Sequence, residues 1–449
     1  MSDLKTTSLR MTGFSLPALG LNTLVTAVFV FMPPLYAEHR GLGTATVGTI
    51  FLLAKFVDMA AAPIWGLFMD SYKTRWGRRR PWLALATPIL MLAVFFVYHP
   101  PEYVTSLYLF LWLSILYIGW DAWTISHTAW ALELSRDYDR RSRITGLLQL
   151  MAIIGGILVS LVPAIMERLG TPTYEEKTSA IGWFIIILLP LTVVLCILSV
   201  PERTTRNQHR VNFKKGAALI MKNMPLLRLL LANAMLSFAW ALLQALFVFY
   251  VAYSLDLEDW VGFTLIFLAV GGLLCLPLWI KLSEHWNKHR AMQFSMLSGA
   301  GALLLLLMLP EQSVVLTAVA FLIVGINTSA NEFLPRAMLA DVCDADNIES
   351  GSERMGLYFS FLQVSTKFGA GLSIFIGFSL LTVIGFDAEA GKDNSAEALR
   401  NLRYLIVGLP GLAYAIVSII LLKYPISREN QQEMRSIIEE REKRSLGNV

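Results

Sequence analysis

Long apolar runs, parted by short polar connections, fill this chain from Thr12 to Leu422. A helix needs roughly 20 apolar residues to cross a hydrocarbon core of about 30 Å. By that measure the pattern predicts twelve spans. The first six are Thr12–Ala37, Ala45–Met69, Pro81–Tyr98, Thr105–Leu132, Ile144–Met166 and Ala180–Val200. The second six are Leu226–Ser254, Val261–Leu282, Arg290–Leu309, Val314–Ala340, Met355–Ile384 and Leu402–Leu422. Several exceed the minimum and must tilt. Buried helices of a soluble protein do not recur twelve times in one chain, so the fold class predicted is an all-α polytopic membrane protein. The longest polar interruption divides it. Residues 1–200 form one six-helix bundle, 201–224 a central loop, 225–424 a second bundle and 425–449 a polar tail.

Composition agrees. Of 449 residues, 55% are hydrophobic and 16% charged, against about 25% charged in soluble domains. A soluble chain this apolar lacks the interior to bury itself. The net charge of +4 gives no reason to expect a nucleic-acid partner. Where the charges fall is more informative. Lys73, Arg75, Arg78, Arg79 and Arg80 fill one connection, and Arg136, Arg140, Arg141 and Arg143 another. The central loop adds Arg203, Arg206, Arg210, Lys214, Lys215 and Lys222, whereas Pro100–Val104, Leu255–Trp260 and Pro310–Ser313 hold no Lys or Arg. The positive-inside rule then places the basic loops and both termini in the cytoplasm of a cell (inner or plasma) membrane. Met1–Met11 is polar and leads into the first span without a cleavage pattern, so it is expected to be retained.

Enzyme chemistry finds no support. Cys196, Cys275 and Cys343 are isolated, and no HExxH, GxSxG or His/Cys cluster occurs. The expectation is no catalytic residue, no metal, no cofactor and a monomer in the bilayer. At an offset of about 211 residues the halves echo one another, and Asp121 falls on Glu332. Repeated six-helix halves with a site between them at mid-depth are a transporter architecture.

Five stretches carry a resemblance, one to a superfamily and four to a narrower family. Gly66-Leu-Phe-Met-Asp70-Ser-Tyr-Lys-Thr-Arg-Trp-Gly77-Arg-Arg-Arg80-Pro81-Trp82 resembles the loop-two motif of the major facilitator superfamily. The others are Val47-Gly-Thr-Ile-Phe-Leu-Leu-Ala-Lys-Phe-Val-Asp58, Glu133-Leu-Ser-Arg-Asp-Tyr-Asp139, Ala337-Met-Leu-Ala-Asp341 and Lys367-Phe-Gly-Ala-Gly371. These four resemble the glycoside-pentoside-hexuronide:cation symporters, the melibiose-permease-like group, across nearly the whole chain. In the loop motif Asp70 closes one helix and Arg78 and Arg79 stand before the next, so opposite charges meet as a cytoplasmic gate. Anchoring to anionic lipid is the competing use of those arginines.

Ionisable groups at bilayer depth are costly and mark function by default. Asp58, Asp121, Glu332 and Lys367 stand out. The resemblance implies that Asp58 belongs to a cation site and that Lys367 lies beside it at the interface between halves. It also shows departures. The family's second acid falls on Ala62, before Pro63, and its helix-four acid on Thr124. Its sugar-binding acid falls on Asn22 and an arginine on Gln149. One carboxylate with a hydroxyl is a poor cage for dehydrated sodium, whereas a lone buried carboxyl can carry a proton. Coupling through Asp58, Asp121 and Lys367 to a proton is therefore expected ahead of sodium.

Spacing puts Asp121, Thr124 and Thr128 on one helix face, beside an aromatic face of Trp120, Trp123, His127 and Trp130. His127 is either a proton shuttle or a packing residue. The expected solute contacts are Asn22, Asp121, Trp123, Thr124, Thr128, Gln149, Glu332 and Lys367. The sequence thus predicts a proton symporter importing a sugar-like or amphipathic small solute by alternating access. A lipid or lysolipid transporter, or an uncoupled facilitator, is the alternative on the same fold.

Overall fold

The computed structural model describes residues 8–71, 76–77, 79–134, 138–170, 172–200, 223–350, 355–422, 424–427, 429–430, 433–434 and 437. Among the described residues there is no strand, and twelve helical spans are long and apolar enough to cross a bilayer. The first, α1, begins as Ser8–Thr26 and continues through wider π turns at Ala27–Phe31 and Leu35–His39. Met32-Pro33-Pro34 lies between those turns. Proline donates no N–H and crowds the turn before it, and the helix widens around the pair.

The first half continues with α2 (Thr44–Ser71), α3 (Arg80–Tyr98), α4 (Ser106–Glu133), α5 (Tyr138–Leu169) and α6 (Tyr174–Ser199). The second half opens with α7 (Met224–Phe249), which runs into a π turn at Tyr250–Ser254, then α8 (Val261–His285) and α9 (Lys288–Leu307). The tenth span is α10 (Val314–Gly325) plus α11 (Thr328–Ser350), and α12 (Met355–Val383) and α13 (Ala396–Ile420) complete the bundle. Polar caps mark several starts. Thr105 accepts from the Tyr108 amide at 3.2 Å, and Thr173 with Glu176 forms a reciprocal capping box.

One span departs from its expected form. Val314–Ala340 reads as a single helix in sequence, but the chain breaks at Ile326-Asn327 and continues to Ser350. Side chains satisfy the opened backbone, as bilayer depth requires. Trp279 Nε1 donates to the Ile326 carbonyl at 2.8 Å, and Thr328 donates to that of Gly325 at 2.8 Å. Asn327 Oδ1 accepts from Ser298 at 2.9 Å and Ser295 at 3.2 Å, both on α9. Hydropathy alone does not place such a break: Val314–Ile348 is still long and apolar enough to read as one span, although Asn327, Thr328 and Ser329 interrupt it.

Within the first half α1 packs on α5 and α6, while α4 packs on α2 and α3. In the second, α7 packs on α12 and α13, and α8 on α10. Two seams join the halves, α2 along α12 and α5 along α8. Glycines let helix backbones touch at two of these crossings. A Cβ on Gly155 would sit 2.2 Å from the Leu19 carbonyl oxygen, and one on Gly369 would sit 2.1 Å from that of Ala234.

Polar contacts between the halves gather at the end opposite the termini. Arg168 at the close of α5 donates to the Asp259 carbonyl at 2.6 Å and stacks on Trp260 at 3.5 Å. Glu167 beside it accepts from the Gly262 amide at 3.3 Å, at the start of α8. Tyr253 hydrogen-bonds Glu38, and Thr44 meets Thr382 at 3.1 Å. These contacts tie the two halves together at this end.

Candidate functional site

The interface between α2, α4 and α12 holds a compact charge cluster at mid-depth. Lys367, from α12, crosses to the first half. Its Nζ lies 2.9 Å from Asp58 Oδ1 on α2 and 2.5 and 2.6 Å from the two oxygens of Asp121 on α4. The second oxygen of Asp58 accepts from Lys55 Nζ at 2.9 Å. Lys55 and Asp58 are three residues apart, so one helix face presents both. Asp58 is 2% exposed, Asp121 5% and Lys55 6%. Asp58 and Asp121 thus share the Lys367 ammonium between them.

The chemistry of this arrangement follows from its charge count. Two carboxylates and two ammonium groups sum to zero, which lets four ionisable groups persist where any one alone would be expelled. Neutralising either carboxylate releases an ammonium from its partner. Because Lys367 belongs to one half and Asp58 and Asp121 to the other, a change of charge here acts directly on the contact between halves.

Lys55 has no place among the residues singled out from sequence. It stands inside the span Ala45–Met69, one turn before Asp58. That depth and spacing were the available signal. Its ammonium lies 3.5 Å above the centroid of the Tyr117 ring and 5.4 Å from that of Trp120.

The remaining polar positions fall in two groups. Trp123 and Thr124 flank Asp121 on α4. The Trp123 Nε1 and Thr124 Oγ1 are buried without a hydrogen-bond partner, as is the Tyr117 hydroxyl on the same helix. Asn22 donates to the Ala152 carbonyl on α5 at 2.6 Å, which ties it to the helix carrying Gln149. Gln149 and Thr128 are half-buried. Glu332 stands apart from the cluster. It is exposed and pairs with Arg336 one turn along α11 at 3.0 Å. The repeat that aligns it with Asp121 does not carry over to its surroundings, because the tenth span is broken and the fourth is not.

His127 is buried against α1. It bonds the Phe14 carbonyl at 2.9 Å and stacks on the Phe14 ring at 4.9 Å. Of the gate residues, Arg78 and the Asp70 side chain lie outside the described residues. Arg79 is described and buried. Residues 201–222 of the central loop also lie outside the described residues. In the second half Lys288 Nζ pairs with Asp341 at 2.6 Å, joining the start of α9 to α11.

Comparison with known proteins adds a family. Residues 13–428 match the family model described as MFS/sugar transport protein. An isoprimeverose transporter of Lactiplantibacillus pentosus is 26% identical over 430 residues, 92% of this chain and 88% of that one. The human sodium-dependent lysophosphatidylcholine symporter 1 is 21% identical over 441 residues, 89% of this chain and 79% of that one. Among solved structures, the nucleoside transporter NupG aligns at TM-score 0.67 with 12% identity, over 93% of this chain and 99% of that one. A bacterial homologue of the human lysosomal transporter Spinster, solved inward-facing and unoccupied, aligns at TM-score 0.64 with 14% identity, over 95% of this chain and all of that one.

Proposed function

Since this chain belongs to the MFS/sugar transport protein family, in its glycoside-pentoside-hexuronide:cation symporter group, and is a secondary transporter, we propose that it imports a sugar-like solute together with a proton. The observation that carries the reading is Lys367 reaching across the halves to Asp58 and Asp121. A proton arriving on either carboxyl weakens that bridge, and the change is felt at the seam that must rearrange during alternating access. Sodium fits less well. Both oxygens of Asp58 already accept from ammonium groups, and the position one turn on is Ala62. A hard cation seeks several oxygens with spare negative charge, and here the charge is already balanced.

Solute contacts are proposed at Asn22, Asp121, Trp123, Thr124, Thr128 and Gln149, with the Trp123 ring as an apolar platform. A second reading replaces the sugar by a lysolipid. The extent of the match to the lysophosphatidylcholine symporters favours it, and their name would bring sodium with it. The test is uptake into proteoliposomes of pentosides including isoprimeverose, hexosides, and lysophosphatidylcholine, under imposed proton or sodium gradients. Accumulation of a glycoside under the proton gradient supports the first reading. Accumulation of lysophosphatidylcholine under the sodium gradient overturns it in favour of the second.

Orientation follows from charge. We place the termini and the basic loops in the cytoplasm, so the end where Arg168, Glu167 and Tyr253 join the halves faces outward. Reporter fusions within residues 201–222 and after residue 449 are expected to signal cytoplasm together. An external signal at either contradicts this topology.

A further inference from the structure

Lys55 invites a question the coupling scheme leaves open: why a second ammonium is kept at this depth. Its stem is pinned at the interface between halves. A Cβ on Gly371 of α12 would sit 2.9 Å from the Lys55 Cβ and 3.1 Å from its Cγ, so the glycine is the space the stem occupies. The side chain is 8% exposed and is not free to reach toward water. The head group is held as a free cation would be. One face meets the Asp58 carboxylate at 2.9 Å, and the other faces the Tyr117 ring at 3.5 Å, with Trp120 and Phe29 at 5.4 and 5.8 Å. Carboxylate on one side and ring faces on the other are the elements of a monovalent cation cage.

We propose that Lys55 is the resident cation of this site: its ammonium fills the place of a free alkali ion beside Asp58, and so sets which ion the transporter uses. The proposal rests on the proton-coupling reading above. Without the ammonium, Asp58 and Asp121 face Lys367 alone, and the cluster holds one negative charge more than positive. That deficit, with the space the head group leaves, makes a site for sodium or lithium. A purely structural lysine, joining α2 to α4, would leave no such preference behind when removed.

The experiment compares the full-length protein with Lys55→Ala, Lys55→Gln and Lys55→Ala/Asp58→Asn, purified in detergent. Thermal unfolding is followed in choline, sodium and lithium chloride at equal ionic strength, and sodium binding is measured by equilibrium dialysis. The unsubstituted protein is expected to unfold at one temperature in all three salts. Lys55→Ala is expected to gain a few degrees in sodium or lithium, rising with concentration as a bound ion requires. It should also bind sodium saturably, and the added Asp58→Asn change should abolish both. If Lys55→Ala unfolds on extraction, Lys55→Gln decides the matter by the same two readouts. Folded Lys55 variants indifferent to sodium and lithium overturn this proposal and leave proton coupling standing. Saturable sodium binding by the unsubstituted protein overturns the proton reading instead.

Discussion

Replacing Asp58 with asparagine is expected to abolish concentrative uptake while leaving solute exchange measurable. Asparagine keeps the shape of the side chain and removes its charge and its ability to take up a proton. Lys55 and Lys367 then share Asp121 alone, so the bridge between halves persists in altered form and the path for solute is not blocked. What disappears is the linkage between ion and solute, without which no gradient can be stored. The steady-state ratio of solute inside to outside should fall to roughly 1, the value for an uncoupled carrier. Counterflow, which needs only alternating access, should survive. Both are read in the same proteoliposomes. A variant that still accumulates solute under a proton gradient removes Asp58 from the coupling step.

The second large effect belongs to Lys367. Lys367→Ala leaves Asp58 and Asp121 close together with Lys55 as their one ammonium. Breaking a buried ion pair from one side costs about 3–5 kcal/mol, because the abandoned charge stays buried. Folded yield and thermal stability should drop accordingly. Combining Lys367→Ala with Asp58→Asn removes one charge of each sign and returns the cluster to neutrality. The double variant should therefore be more stable than the two losses summed, by roughly 0.5–3 kcal/mol of coupling. Thermal unfolding of the four proteins completes the cycle. Strict additivity would show that the two residues do not act as a pair.

The sequence disclosed the membrane architecture because hydrophobic length is a direct physical demand of the bilayer. A stretch such as Pro81–Tyr98 has no alternative use, and the helix Arg80–Tyr98 follows from it. It disclosed less where backbone geometry depends on neighbours. The π turns around Pro33-Pro34 leave the hydropathy unchanged, the span Val314–Ile348 still reads as one despite its break at Ile326-Asn327, and the bonds that tolerate the break come from Trp279, Ser295 and Ser298 on other helices.

The candidate site divides in the same way. Asp58, Asp121 and Lys367 stood out singly because a charge at mid-span is conspicuous. Their convergence on one ammonium is a fact of helix packing. Lys55 was as deep as Asp58 but carried no role in the resemblance, so its place as the fourth member appears only once α4 brings the Tyr117 ring beneath it. Glu332 is the contrasting case. Its offset from Asp121 suggested an equivalent depth, yet it pairs with Arg336 on an exposed face of α11.

Proton entry accompanying solute is the measurement closest to the central claim. Proteoliposomes prepared without sodium, holding a pH-sensitive dye and clamped at zero potential, are exposed to an inward gradient of the transported glycoside. Our account predicts that the lumen acidifies as solute enters, that a protonophore abolishes the signal, and that Asp58→Asn protein gives uptake without acidification. Solute entry with no proton movement in the unsubstituted protein, or entry that begins only when sodium is supplied, would contradict it.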